Sequence, residues 1–170
     1  REKGVDGEAG MLEDVEADLE QQIVTFAALS LIALRRRNKV AATNYALAAM
    51  TTPLSALMRA DAEGQGYLVA EGGMGTRLGR GILGGVGMAL NKNRDISDIV
   101  SAMVVAGNVN TVLERRDVVQ NGQDSECCVG VNDDPTFKRE AETRAETIVP
   151  YAKRGLVVGA GLLALDKLAA

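Results

Sequence analysis

From residue 11 onward the apolar positions recur at three- and four-residue steps. Met11, Leu12, Val15, Leu19, Ile23 and Phe26 fall on one side of a helix, with charged residues between them. This spacing predicts a long helix over 11–37. Across 23–34 the pattern becomes apolar all round, so that part must be buried against another helix or against lipid. The uncharged run 21–34 is 14 residues, too short to span a bilayer alone. A second helical segment is predicted over 40–60. Its uncharged run, 40–58, is 19 residues and long enough, but it carries Thr43, Asn44, Thr51, Thr52, Pro53 and Ser55. Pro53 should kink it or mark a fresh helix start after Thr52. The many alanines favour close helix packing.

Residues 62–93 are glycine-rich. Helical periodicity returns over 95–116, where Asp95 as N-cap and Asp98 three positions on make a partial capping box. Ile96, Ile99, Val100, Met103 and Val104 supply its apolar face, and Gly107 weakens its middle. Residues 117–134 read as a polar connector. Asn121-Gly122 is a hairpin-turn signal, flanked by β-like runs at Val118-Val119 and 127–131. Asp134-Pro135 marks a helix start, with Asp as N-cap and Pro at the first helical position. The helix over 135–149 is polar, Pro150 is expected to interrupt it, and 151–170 forms an apolar, small-residue C-terminal helix. The predicted fold is mostly α: a helical hairpin or bundle with a Gly-rich segment and one short loop or β-hairpin near 117–134. Its organisation is a long N-terminal helical hairpin over 1–61, the Gly-rich segment over 62–93, and a helical C-terminal region over 94–170.

Two stretches echo each other. Residues 80–88 and 154–162 both begin Arg-Gly and both carry G-x-x-x-G-x-G, at Gly81, Gly85, Gly87 and at Gly155, Gly159, Gly161. Glycines four apart make a flat groove that another backbone can approach. In water each helical glycine costs about 1 kcal/mol, so such helices need tight packing or a membrane. Each uncharged core, 81–91 and 155–165, is 11 residues, which suits an interfacial or half-span helix. These six glycines are the expected helix-packing and oligomerisation positions. Chance similarity in a chain rich in Gly, Ala and Val is the plainer explanation.

Charge is zoned. Residues 1–21 hold eight acids and two bases, whereas 22–58 hold no acid and four bases, Arg35, Arg36, Arg37 and Lys39. Residues 117–148 hold eight acids and three bases. The zoning points to head-to-tail complementarity between copies, or to a basic strip facing an anionic partner through those four bases. Alternatively, acids sit early in helices and bases late, as the helix dipole prefers.

Composition removes several functions. The 170 residues contain no His and no Trp, only three Tyr and two Phe, and 19 Gly. Without His there is no Ser-His-Asp or Cys-His catalysis and no His-ligated metal. Without an aromatic cluster there is no stacking platform for single-stranded nucleic acid. The net charge of −4 argues against a general phosphate-backbone binder. Cys127 and Cys128 are adjacent and fit neither a redox pair nor zinc spacing, so they read as free thiols from a reducing compartment. Arg1 in place of Met reads as a processed product or a fragment, and 1–21 lacks the features of a signal peptide. Asn132-Asp133-Asp134 could ligate a cation, but capping by Asp134 explains it more simply.

One motif looks catalytic. Residues 72–78 read G-G-x-G-T-R-L and resemble the phosphate-cradling signature of sugar-phosphate nucleotidyltransferases. The resemblance implies that Gly72, Gly73, Gly75, Thr76 and Arg77 bind a nucleoside triphosphate. It covers about ten residues. The sequence departs from the pattern where Gly79-Arg80 replaces the proline after Arg-Leu, and no alternating strand and helix pattern follows. Residues 79–84 also satisfy G-x-G-x-x-G, but without a preceding strand.

The expected function is therefore a non-enzymatic structural subunit of a homo-oligomeric assembly with membrane-interacting glycine-zipper helices. A virion component (internal, ejection or coat protein, of phage type) fits best. A subunit of a secretion or pilus-like apparatus is the first alternative, and a nucleotide-binding enzyme using residues 72–77 the second. The expected partners are copies of itself, a membrane surface and other subunits of a large assembly, not a specific nucleic acid. No cofactor and no metal is expected, and the location is a virion or a membrane-associated assembly.

Overall fold

The computed structural model describes residues 3–69, 95–121 and 128–168. They form α1 (Lys3–Arg35), α2 (Lys39–Gly64), β1 (Tyr67–Val69), α3 (Ile96–Asn121), β2 (Cys128–Val131) and α4 (Pro135–Leu168). The fold is mostly α. The Gly-rich stretch 70–94, with Gly81, Gly85, Gly87 and the 72–77 motif, lies outside the described residues, as does Cys127.

α2 is the central helix and packs on α1, α3 and α4, while α1 also meets α4. Its composition suits that position, because Ala41, Ala42, Ala46, Ala48, Ala49, Ala60 and Ala62 are all buried and let three neighbours approach its backbone. The outer helices present seams with alternating four- and three-residue steps. On α1 these are Leu19, Ile23, Phe26, Ser30 and Ala33; on α4 they are Ile148, Ala152, Gly155, Gly159 and Leu162. Such steps keep one stripe of each helix on its partner. One cluster joins Leu19, Ala60 and Ile148 near one end of the bundle, and another joins Ala33, Ala41, Ala42 and Tyr45 near the other.

The α1–α2 turn is closed by backbone bonds. Asn38 N–H donates to the Ala33 carbonyl and Arg37 N–H to that of Leu34, both at 2.9 Å, and Arg37 takes the left-handed conformation, φ 57°. This is a Schellman closure with arginine where glycine is usual. The Asn38 side chain then caps α2 by accepting from Ala41 N–H at 3.0 Å.

Three expectations need correction. Pro53 neither kinks α2 into two pieces nor restarts it; it lies inside one helix, buried. Pro150 likewise does not end a helix, since α4 runs for 34 residues through it. Tertiary packing along both helices outweighs the lost backbone bond. The connector is not a hairpin about Asn121-Gly122, because α3 continues to Asn121 and Val118-Val119 are helical. Residues 128–131 do form a strand, but they pair antiparallel with β1, Tyr67 opposite Val131 and Val69 opposite Cys128. Asn132 N–H closes that pair on the Gly66 carbonyl at 2.6 Å. The apolar face of α3 is only partly covered: Ile96 is 75% exposed and Val100 45%, while Ile99, Met103 and Val104 are half-buried. Its fully buried residues, among those described, are polar.

Candidate functional site

The buried side of α3 carries Asp98, Ser101, Thr111 and Arg115. Ser101, Asn108 and Arg115 stand seven residues apart, so they share one stripe. Each meets a polar group of α2. Asn44 Nδ2 donates to Ser101 Oγ at 3.1 Å. Asn108 Nδ2 donates to Thr51 Oγ1 at 3.2 Å and to Thr52 Oγ1 at 2.8 Å. Arg115 Nη1 donates to the Ser55 carbonyl at 2.7 Å. Both residue series ascend, so α2 and α3 run in the same direction, joined by a ladder of amides, hydroxyls and one buried guanidinium. Two further interhelical bonds continue the theme. Ser30 Oγ on α1 donates to the Ala42 carbonyl at 2.8 Å, and Thr43 Oγ1 donates to Asp166 Oδ2 on α4 at 3.3 Å.

A cavity of about 510 Å³ opens between α1 and α3, with α2 as its floor. It has three levels along the bundle axis. Asp18, Arg59 and Arg115 line the first together with Val15 and Leu19; Gln22, Thr52, Ser55, Ala56 and Asn108 line the second; Phe26 and Val104 line the third. On α1, Asp18, Gln22 and Phe26 are four apart, so the levels extend over about 12 Å of helix axis. The volume falls in the range of small-molecule sites, roughly 300–1,000 Å³.

Beside this cavity sits an ionic knot. The buried Glu63 carboxylate takes Arg59 Nε at 2.9 Å and Arg144 Nη1 of α4 at 2.7 Å. Arg59 thus stands between the knot and the cavity. Asp61 on the same turn of α2 is pushed above the ordinary carboxylate range by burial. Further out, Arg154 pairs with Glu20 of α1 at 2.7 Å and lies over the Tyr151 ring.

The sequence-derived positions are distributed as follows. Gly155 and Gly159 sit at the closest approach of α4 to α2. A Cβ on Gly155 would lie 2.6 Å from the Ala49 carbonyl oxygen, and one on Gly159 would lie 2.7 Å from that of Ala46 and against the Met50 side chain. Their contact is within the chain. Gly161 faces open space. Arg35, Arg36, Arg37 and Lys39 are exposed around the α1–α2 turn. The Asn132–Asp134 acids are engaged locally: Asp134 Oδ1 caps α4 by accepting from Thr136 N–H at 2.9 Å, and Asp133 pairs with Lys138 at 3.0 Å. The polar ladder and the Asp18, Arg59 and Arg115 level were not among the expected site residues. The signal for the ladder was present as the seven-residue recurrence of Ser101, Asn108 and Arg115 along α3.

Parts of the outward faces are apolar. Val24 is 61% exposed and Val157 73%, and Leu31, Ile32, Val109, Leu113, Leu156 and Leu165 are also exposed. Three described helical stretches, Val15–Arg35, Ile96–Leu113 and Pro135–Leu168, are long and apolar enough to cross a membrane. Comparison with protein-family models, with curated proteins and with solved structures gives no match to this chain.

Proposed function

We propose that this chain is a membrane-embedded helical bundle, a non-enzymatic structural subunit whose α1, α3 and α4 face lipid around a central α2. The observation that carries this reading is the polarity of α3. It turns Asp98, Ser101, Thr111 and Arg115 inward and Ile96, Val100, Val109 and Leu113 outward. In water, burying polar groups and exposing aliphatic ones opposes folding on both counts. In hydrocarbon the same arrangement is favourable: aliphatic groups are at home outside, and polar groups find partners inside. The small residues of the α2–α4 contact belong to the same picture, because close backbone approach drives helix association where hydrophobic burial cannot.

The uncharged belt is thin. On α1 it is 14 residues and on α4 it is 11, or about 21 and 16 Å of helix, against a hydrocarbon core of about 30 Å. Arg35, Lys153 and Lys167 flank these belts and are exposed, with stems long enough to reach the headgroups. The basic α1–α2 turn, with four cations in residues 35–39, fits contact with anionic headgroups.

Membrane partition tests the reading. After expression of the full chain, membranes are washed in alkaline carbonate. The protein is expected to stay in the membrane pellet; release into the supernatant contradicts it. A second reading has the same apolar faces covered by further copies in a water-soluble assembly, such as a virion component or a secretion or pilus-like subunit. The zoned charges along α1 favour it, acids towards one end and the Arg35–Arg37 cluster at the other. It predicts a large, detergent-free oligomer by light scattering.

A further inference from the structure

We propose that α1 is a self-pairing element: the side of α1 that borders α3 packs antiparallel against the same side of α1 in a second copy of the chain. The inference goes beyond the membrane-embedded reading, because it holds whether the remaining faces meet lipid or water.

The surface follows from the fold. α1 and α3 both pack on α2, and a groove is left between them. It runs along α1, from the cavity lined by Asp18, Gln22 and Phe26 to a smaller one of about 80 Å³ lined by Leu29, Ile32 and Arg36 with Asp95 and Ser97 at the start of α3. On the α1 wall, Asp18, Gln22, Thr25, Leu29, Ile32 and Arg36 follow one another at steps of four and three, so they form one stripe. Arg36 belongs to it because its N–H still bonds the Ile32 carbonyl at 3.0 Å. Leu29 is half-buried and the other five are exposed. Val24 and Leu31 lie on the other edge of α1 and stay outward.

Three observations commit this stripe to a second copy. The first is charge. Residues 1–21 hold eight acids and two bases, 22–34 hold no charge, and 35–39 hold four bases. Parallel copies of α1 would set like zones together, whereas antiparallel copies set each acidic zone against a basic one. The second is symmetry. The stripe mirrors itself about residue 27: Asp18 falls opposite Arg36 of the second copy, Gln22 opposite Ile32, and Thr25 opposite Leu29. A two-fold contact requires such self-complementarity. Among the described residues Asp18 and Arg36 form no ion pair within the chain, whereas Glu20 is taken by Arg154. The third is polarity. Gln21, Gln22 and Thr25 are the exposed polar side chains of the uncharged run, and all three lie on this side. Hydrocarbon offers such groups no partner, and they hydrogen-bond across paired helices. In a bilayer the pairing sets the two copies in opposite orientations.

The test is the oligomeric state of the full chain in a neutral detergent, by sedimentation equilibrium. A dimer is expected. Asp18→Arg and Arg36→Glu each bring like charges together and should weaken it at least tenfold, with the helical circular-dichroism signal unchanged. The double reversal, Asp18→Arg with Arg36→Glu, should restore it to near the wild-type affinity. Register is read by oxidative cross-linking in a background carrying Cys127→Ser and Cys128→Ser. Gln22→Cys mixed with Ile32→Cys is expected to give a disulfide-linked dimer, and neither variant alone. Cross-links of each variant with itself would show parallel pairing and overturn the proposal. A monomer at all concentrations overturns it too, whether residues 70–94 of the same chain then close the groove or nothing does. A dimer indifferent to both single reversals, or not restored by the double one, also overturns it. Carbonate partition of the same preparation reads the membrane claim separately, so either can fail alone.

Discussion

At the scale of single residues, the two glycines of α4 that face α2 differ sharply from the third, two positions on. A side chain at Gly159 would collide with the Ala46 carbonyl and the Met50 side chain, whereas Gly161 looks into open space. Gly159→Leu is therefore expected to cost about 3 kcal/mol in unfolding free energy, and Gly161→Leu less than about 0.5 kcal/mol, by equilibrium denaturation in detergent. Equal effects contradict the assigned contact. Sequence spacing marked both glycines as packing positions without distinguishing them, because the repeat gives a stripe and only the neighbour's position tells which part of it is covered. Arg37 offers the opposite change. It holds a left-handed φ of 57° at the helix C-terminus, where glycine is unstrained, so Arg37→Gly is expected to stabilise by about 1 kcal/mol. Asp61 supplies a pH dependence. Its folded-state pKa is raised above 3.8 by burial, so protonation is favoured by folding. Its stabilising contribution is fully present below the unfolded pKa and is lost as pH rises through the folded one. Asp61→Asn should flatten the fall in stability on going up in pH from about 4 and raise the unfolding midpoint at neutral pH. A midpoint–pH curve that overlays the wild type rules this out.

At the scale of elements, the long helices were legible in the sequence and their partners were not. Three- and four-residue recurrence identified α1, and Asp134-Pro135 identified the start of α4, because both are local signals. The helical state of Pro53 and Pro150 was not legible, since a proline's local penalty is visible in sequence while the packing that outweighs it is not. Pro150 is exposed, so restoring its backbone donor with Pro150→Ala is expected to stabilise α4 by about 1–3 kcal/mol, measured as an upward shift in the unfolding midpoint. The apolar face of α3 was legible from its spacing, but how much of it is covered was not: Ile96 and Val100 are exposed, whereas Ile99, Met103 and Val104 are half-buried. The ladder of Ser101, Asn108 and Arg115 became meaningful only once Asn44, Thr51, Thr52 and Ser55 of α2 were seen opposite it. Strand β2 was found within the expected run, but its partner β1 lies some sixty residues earlier, beyond the reach of hairpin reasoning.

At the scale of the whole molecule, the seam between α2 and α3 is polar, the seams of α2 with α1 and α4 are apolar, and all three outer helices expose aliphatic side chains over part of their length; the candidate site is a cavity lined by α1, α2 and α3. None of that cavity was legible beforehand, since Asp18, Arg59 and Arg115 come from three helices and have no common motif. The outward polarity is the central claim, and it can be read position by position. Spin labels are placed singly at Val24, Val109 and Val157 on the outer faces, in a background carrying Cys127→Ser and Cys128→Ser. The full chain is reconstituted in phosphatidylcholine bilayers, and the accessibility of each label to oxygen and to a water-soluble nickel chelate is measured by electron paramagnetic resonance. The account predicts high oxygen and low nickel accessibility at all three positions, as for labels in hydrocarbon. High nickel accessibility at these positions, with the bundle folded, would contradict it.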